Sequence, residues 1–405
     1  MTNRQAAIKI IKRLHRNGFQ ALLAGGCVRD MLLGRRANDY DVATDAQPAD
    51  VIRLFKRTLK VGARFGVVIV LTEGRQVEVA TFRTEADYDD GRHPGTVAFA
   101  SAAEDANRRD FTINGMFYDP LQKEVIDYVN GRADLRRRIV RTIGAPAERF
   151  AEDYLRMLRA IRFSTQLGFA IEPATWSAIR RHAKKITHIS GERIAIELEG
   201  ILAHPNRADG ASMLIESGLA EKIFPGFAGD QAGFAASVLS HLPKRVDFPL
   251  ALAAFFAGCK TEFALDRCKA LKLSRSQNKH IKSLLVGRSR LLDDRISLAE
   301  LKKILAQPTF RDLYELQKAI QKATGRSMAA LTKLRKRIEA LGNVDLQPKP
   351  LLNGHDLIQL GASPGPALGQ LAEELYIAQL EGILQTAEQA AQWAKRWLRK
   401  HKAMQ

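Results

Sequence analysis

Apolar positions divide the chain into two regimes. Up to about residue 140 they come in short β-branched runs separated by glycine turns, predicting strands at Phe19 to Ala24, Tyr40 to Thr44, Val67 to Leu71, Val77 to Phe82 and Val125 to Val129. Ahead of them, Ala7, Ile8, Ile11 and Leu14 fall on one side of an amphipathic helix within Met1 to Arg16. From about Ala147 onward nearly every stretch repeats with a helical period, interrupted by turns such as His204-Pro205-Asn206 and Phe224-Pro225-Gly226, so the remainder is predicted to be all helical. Gln347 to Pro350 and Ser363-Pro364-Gly365-Pro366 punctuate a last helical unit. The expected fold class is α+β, a small mixed sheet with helices followed by helices alone, in four segments: 1–140, 141–205, 206–345 and 346–405.

Composition narrows the class of partner. The chain has 405 residues, 46% of them hydrophobic, more than a single core usually absorbs. Its formal charge is +19, from 63 basic and 44 acidic side chains, a field that concentrates polyanions and makes their binding depend on salt. A nucleic-acid partner is the first expectation, and a merely soluble basic protein is the alternative. Cys27, Cys259 and Cys268 have no metal-ligand spacing and cannot all pair, which suits a reducing compartment, so a cytoplasmic location is expected. The first residues lack the apolar core of a signal peptide, and no segment holds the roughly 20 apolar residues of a membrane span.

The densest chemistry lies in Leu23-Ala24-Gly25-Gly26-Cys27-Val28-Arg29-Asp30 and in Asn38-Asp39-Tyr40-Asp41-Val42-Ala43-Thr44. Gly25-Gly26 after an apolar strand lets amide N–H groups face a phosphate, and Arg29 adds a bidentate cation at the next helix; an ordinary strand-to-helix turn has the same look. On a strand, Asp39 and Asp41 leave the same face and converge, and two carboxylates that close repel unless a divalent cation lies between them. A solvated acidic turn is the bland alternative. Glu78, in the apolar run Val77-Glu78-Val79-Ala80-Thr81, is expected on a buried sheet, where a carboxylate needs a metal or a base. Three convergent carboxylates could carry two Mg2+ ions, one activating an attacking hydroxyl and one holding a triphosphate.

Further along, Asp153, Arg156, Arg159 and Arg162 recur every three residues and are expected to form a stripe on one side of a helix, beside an apolar stripe of Leu155, Leu158 and Ile161. A solvent-facing ladder of ion pairs has the same pattern. Facing a nucleotide, an aspartate can accept from an exocyclic amino group while an arginine donates to ring nitrogen and carbonyl acceptors, so Asp153 with Arg156 can pair with cytosine or, slightly shifted, adenine; guanine and uracil lack that pattern. Thr84 to Gly95 is polar, glycine-bearing and mixed in charge, and is expected to be a mobile loop. The basic runs Arg267 to Arg290, Lys333 to Arg337 and Lys395 to Lys402 suit the backbone of a folded RNA, or are solvated faces. His355-Asp356 has no histidine cluster near it, so Asp356 is expected to start a helix, and Trp176, Trp393 and Trp397 are expected in packing.

The glycine motif followed by Asp39-Tyr40-Asp41-Val42-Ala43-Thr44 resembles the nucleotidyltransferase head of bacterial class II CCA-adding enzymes and bacterial poly(A) polymerases. Arg108-Arg109-Asp110-Phe111-Thr112-Ile113-Asn114-Gly115-Met116 is similar to that family's second head motif, Gly131 to Gly144 to its head-to-neck linker, Glu152 to Phe163 to its neck helix, and Ser190 to Glu197 to its last shared motif. Asn353 to Ile358 and Pro364 to Gly369 resemble the C-terminal unit of many CCA-adding enzymes, and Gly62 to Val68 with Glu192-Arg193 leans the same way.

The resemblance implies a polymerase-β-type head over 1–140, a nucleotide-selecting neck over 141–205, and an RNA-binding body and tail over 206–345 and 346–405. It implies catalytic Asp39, Asp41 and Glu78, with Mg2+ on Asp39 and Asp41. Gly25, Gly26, Arg29, Arg109 and Asp110 would hold triphosphate or ribose, Asp153 and Arg156 would template the base, and Arg159 and Arg162 would meet phosphate. The implied reaction adds CCA to a tRNA 3′ end from CTP and ATP with release of diphosphate. A poly(A) polymerase, a CC-only or A-only enzyme, and a catalytically silent RNA-binding protein are the rivals. Thr84 to Gly95 resembles the family's flexible loop, which CC-only relatives shorten. Oligomeric state is left open.

Overall fold

The computed structural model describes residues 1–60, 62, 65–88 and 94–402. Two compact units emerge: the first comprises 1–240, 244–248 and 258–274, the second 241–243, 249–257 and 275–405.

The first unit begins with helix α1, Asn3–Arg16, started by a capping box in which Thr2 and Gln5 exchange hydrogen bonds and closed by basic residues in its last turn. Ala7, Ile11 and Leu14 are buried and Ile8 is half-buried. There follow β1 (Ala21–Ala24), α2 (Gly26–Leu32), β2 (Asp41–Thr44), α3 (Pro48–Leu54), β3 (Thr58–Leu59), β4 (Val67–Thr72) and β5 (Arg75–Thr81). After β6 (Arg83–Tyr88), β7 (Pro94–Phe99) and α4 (Ala102–Asn107), a single 3-10 turn at Thr112–Asn114 leads to β8 (Phe117–Asp119) and β9 (Glu124–Ile126). Seven strands form one mixed sheet in the order β3-β4-β5-β2-β1-β8-β9, with β2 parallel to β5 and antiparallel to β1. Phe82, Ala106, Val129 and Ile143 close a core over this sheet with Phe117, whose ring meets Phe82 edge to face.

Two expectations change here. Thr84 to Gly95 is not loop at its ends, because β6 and β7 pair antiparallel from Arg83↔Phe99 to Tyr88↔Pro94; residues 89–93, between them, lie outside the described residues. Ala63 and Arg64 of the Gly62 to Val68 motif lie outside them too. Glu78 is exposed rather than buried, since this stretch of β5 alternates and only Val77, Val79 and Thr81 face the core.

The first unit continues with α5 (Gly131–Arg137), β10 (Ile139–Val140), α6 (Pro146–Glu152), α7 (Leu155–Leu167), β11 (Ala170–Ile171), α8 (Pro173–His182) and α9 (Gly191–Leu202). Strands are not confined to the first 140 residues: β11 pairs parallel with β10 through Ile139↔Ala170 and Val140↔Ile171. Leu155, Leu158 and Ile161 are buried as their spacing requires, and α7 packs against α9 at Gly200, where an added Cβ would lie 2.5 Å from Arg162 Cδ. That close approach seats Arg162 along α9.

The second unit is helical. Its tail buries Leu357, Leu371, Leu375, Ala390 and Trp397 around one another, with Trp393 packed against them. Asn353 and Asp356 form a capping box at the helix Gly354–Gln359, the expected role of Asp356, and Trp397 Nε1 donates to Glu374 at 2.8 Å. Among the described residues no helix is long and apolar enough to cross a membrane.

Candidate active site

The acidic residues meet at one end of the central strands. Asp41 is the first residue of β2, and because Val42 pairs with Val79, Asp41 is carried beside Glu78 on the same face. Asp39 lies two residues upstream, just before the strand begins. The Asp41 carboxyl is pushed up to about 6, first by burial and then by the charges of Glu78 and Asp39, with the Arg109 cation opposing them. Close by, burial and then the charge of Asp41 push the Cys27 thiol up to about 12, so Cys27 stays a neutral donor to the Ala24 carbonyl at 3.3 Å. Three crowded carboxylates opposed by one arginine are a donor set suited to divalent cations.

Gly25 turns the chain from β1 into α2 at φ +72, a left-handed conformation that favours glycine, and an added Cβ would lie 3.0 Å from Arg109 Nη1. The N–H of Gly25 is not free for phosphate, because it donates to the Met116 carbonyl at 3.2 Å. The N–H groups of Gly26 and Cys27, in the first turn of α2, have no carbonyl within the helix to serve. Arg29 donates from Nη1 to Asn114 Oδ1 at 2.7 Å and from Nε to Asp30 at 2.9 Å, and its guanidinium lies over the Phe163 ring.

The second head motif is an ion-pair frame. Asp105 takes Arg108 at 2.8 Å and Arg109 at 2.9 Å, and Arg109 also lies over the Phe117 ring. Burial alone would raise Asp105, but the two arginines hold its carboxyl below the usual range. Asp110 is likewise buried and likewise held down: Arg159 donates to its Oδ2 from Nε at 2.8 Å and from Nη2 at 2.6 Å, while Oδ1 accepts from Phe111 N–H and Asn114 Nδ2.

The neck stripe is interrupted. Asp153 is extended, at φ −154, in the break between α6 and α7, and not on a helix with the arginines. Its Oδ1 accepts from Leu155 N–H at 3.0 Å, which explains the break: a short acidic side chain competes with the backbone for helical donors. Its Oδ2 is paired with Arg193 at 2.6 Å. Arg156 is buried, pairs with Glu152 and donates to the Arg149 carbonyl at 2.9 Å. Arg162 pairs with Glu197 at 2.6 Å and covers the Phe163 ring. The pattern is neither a solvated ladder nor a row of free cations, since each arginine of the stripe holds a carboxylate.

A cleft of about 840 Å³ collects these groups, and every candidate catalytic or nucleotide-binding residue named from the sequence lines it except Glu78. Sequence reasoning gave no role to Asn114, which joins Arg29 to Asp110, to Arg193, or to Phe163, under three arginines. The signal for Asn114 was its place four residues after Asp110 in a quoted motif.

Comparison with known proteins adds the following. Residues 21–141 match a family model described as the poly A polymerase head domain, 168–230 one described as a probable RNA and SrmB- binding site of polymerase A, and 250–394 one described as tRNA nucleotidyltransferase domain 2. A CCA-adding enzyme of Lacticaseibacillus paracasei is 36% identical over 94% of this chain and 93% of its own. One from Geobacillus stearothermophilus is 45% identical over 228 residues, 56% of either chain. The crystal structure of a Bacillus stearothermophilus CCA-adding enzyme in complex with CTP superposes with a TM-score of 0.83 at 30% identity, covering 100% of both chains.

Proposed function

Since the chain belongs to the CCA-adding enzymes, a family of metal-dependent tRNA nucleotidyltransferases, we propose how its own side chains divide the work. The enzyme adds CCA to the 3′ end of tRNA from CTP and ATP. The crowding of Asp39 and Glu78 about Asp41, whose carboxyl is pushed up to about 6, is the observation that carries the assignment. Asp39 and Asp41 hold the metal, Mg2+ in our reading, and Glu78 completes the negative field from the neighbouring strand. When bound there, the ion lowers the pKa of the terminal ribose hydroxyl and screens the charge that develops on the triphosphate.

The remaining roles fall to fixed groups. Arg29 and Arg109, each held by a carboxylate and an aromatic face, present positive charge to the triphosphate without reorganising, beside the first-turn amides of α2 at Gly26. Asp110 acts through its partners, because its oxygens are already filled: it sets Arg159 and Asn114, and Asn114 sets Arg29. Arg159 and Arg162 supply the phosphate field from the neck side. Asp153 and Arg156 read the base, Asp153 exchanging Arg193 for an exocyclic amino group. The terminal hydroxyl of the RNA then attacks the α-phosphate, the P–O bond to the β-phosphate breaks, and diphosphate leaves.

The four-segment division into head, neck, body and tail remains our functional description, with the basic helices of body and tail as the RNA surface. The three free, buried cysteines support a cytoplasmic location. The test is extension of tRNA transcripts lacking A, CA or CCA, with Mg2+ and with CTP and ATP supplied singly and together. Growth to CCA and a clean stop is expected. A stop at CC, addition of A alone, or an untemplated run of A would each select a rival, and no extension would return the silent RNA-binding protein.

A further inference from the structure

A guanidinium has five N–H donors in a rigid fork, so an arginine can tie together backbone groups that no helix or strand connects. Arg149, in α6, uses its fork this way. Its Nη2 donates to the Asn107 carbonyl at 2.9 Å and its Nη1 reaches the Arg108 carbonyl at 3.4 Å, two of the carbonyls left over where α4 ends. Its Nε donates to the Ile143 carbonyl at 3.1 Å, and Nη1 pairs with Glu152 Oε2 at 2.9 Å. The other end of the same residue serves Arg156, whose Nη1 donates to the Arg149 carbonyl at 2.9 Å and to the same Glu152 oxygen. Arg149 is thus bonded on one side to the helix end that opens the second head motif and on the other to Glu152, and its own carbonyl and Glu152 are the two groups that hold Arg156.

The consequence for Arg156 is specific. Only its Nη1 is bonded to protein among the described residues, leaving Nε and Nη2 for a base. Glu152 shares its charge between two arginines, so it anchors Arg156 without neutralising it. We infer that Arg149 is a positioning residue for base selection: it fixes the distance between Arg156 and the Arg108-Arg109 head motif, and so the depth at which a pyrimidine edge meets the Arg156 donors. The inference rests on the assignment of Arg156 to base reading. Cytosine offers acceptors at N3 and O2, whereas uracil offers an N3–H that an arginine donor cannot meet, so loosened placement of Arg156 weakens rejection of UTP before it weakens chemistry.

The experiment uses the full-length protein and its Arg149→Lys, Arg149→Gln and Arg156→Gln variants, measuring kcat and KM for CTP and for UTP on a tRNA transcript lacking CCA, with thermal melts alongside. Lysine keeps the charge for Glu152 but cannot span three carbonyls, so Arg149→Lys carries the test even if Arg149→Gln folds poorly. We expect KM for CTP to rise about tenfold, kcat to fall less, and CTP-over-UTP discrimination to drop about tenfold toward that of Arg156→Gln, as for the loss of one good paired contact. Discrimination at the parent level in Arg149→Lys, whatever its rate, overturns the inference. If Arg156→Gln itself keeps full discrimination, the base-reading assignment fails and the inference with it; if only the Arg149 variants keep it, the assignment stands and the positioning role alone is lost.

Discussion

Arg159, on α7, gives both its Nε and an Nη hydrogen to one oxygen of Asp110, 49 residues earlier in the chain, at 2.8 and 2.6 Å. The other Asp110 oxygen is filled by Phe111 N–H and Asn114, so this carboxylate sits at the centre of the frame that aims Arg29 and Arg159 into the cleft.

Replacing Asp110 by Asn removes the charge and leaves Arg159 without its main partner. Arg159 is one-third exposed, so the cost lies below that of a wholly buried pair, about 2 kcal/mol in urea unfolding. Activity should fall further than stability accounts for, through a raised KM for both CTP and ATP. An unchanged KM would mean that Asp110 holds the fold alone.

The same carboxylate gives a pH dependence. Burial raises its proton affinity, but Arg159 and Asn114 more than offset this and hold it below the ordinary value. The unfolded chain therefore takes up the proton first, near pH 4, and the native state later. The stabilisation is present above that pH and is lost as pH falls through the native value. Unfolding free energy followed from pH 7 to pH 3 should drop more steeply for the parent than for Asp110→Asn, and parallel curves would refute the depressed value.

Asp41→Asn separates catalysis from folding. It deletes a carboxylate that burial, Glu78 and Asp39 already disfavour as an anion, so the melting temperature in EDTA should stay level or rise. Nucleotide incorporation should fall by about 10³-fold or more, as for loss of a group that acts in the transition state. Mg2+ is expected to raise the melting temperature of the parent and not that of Asp41→Asn. A lower melting temperature in EDTA would show that Asp41 is a fold-holding residue.

Gly25→Ala tests the turn. At φ +72 a Cβ costs about 1–2 kcal/mol in backbone strain, and here it would also press on Arg109 Nη1. The expected result is a modest loss of stability and a larger rise in KM for nucleotide, whereas Gly26→Ala, whose Cβ would have no neighbour nearer than 3.6 Å, should do less. Equal effects on KM would remove Arg109 from the explanation.

The local signals in the sequence were read correctly where the physics is local. The apolar period of α1, the β-branched run of β2 and the two-residue spacing of Asp39 and Asp41 each act within a few residues; the first two became the expected helix and strand, and both aspartates line the cleft. What escaped depends on distant partners. Nothing in Thr84 to Gly95 announces that its ends pair as strands, and two-residue β10 and β11 become strands only through each other. The arginine spacing in the neck was visible but its meaning was not: a periodic pattern does not tell that Asp153 would take a backbone donor and break the helix, or that Arg159 would find Asp110.

The parallel pairing of β10 with β11 closes the chain from residue 141 to 169 into a clasped loop, reinforced by Arg141 on Glu172 and by Thr142 N–H on Thr175. Both ends of the segment proposed to read the base are thereby pinned to one spot, so it is held as a loop and not as a free arm. Between its two helices the segment has an elbow at Asp153 and Tyr154, so under the proposed base-reading role a change of register from a pyrimidine to a purine would be a flexion within a closed ring rather than the swing of an arm.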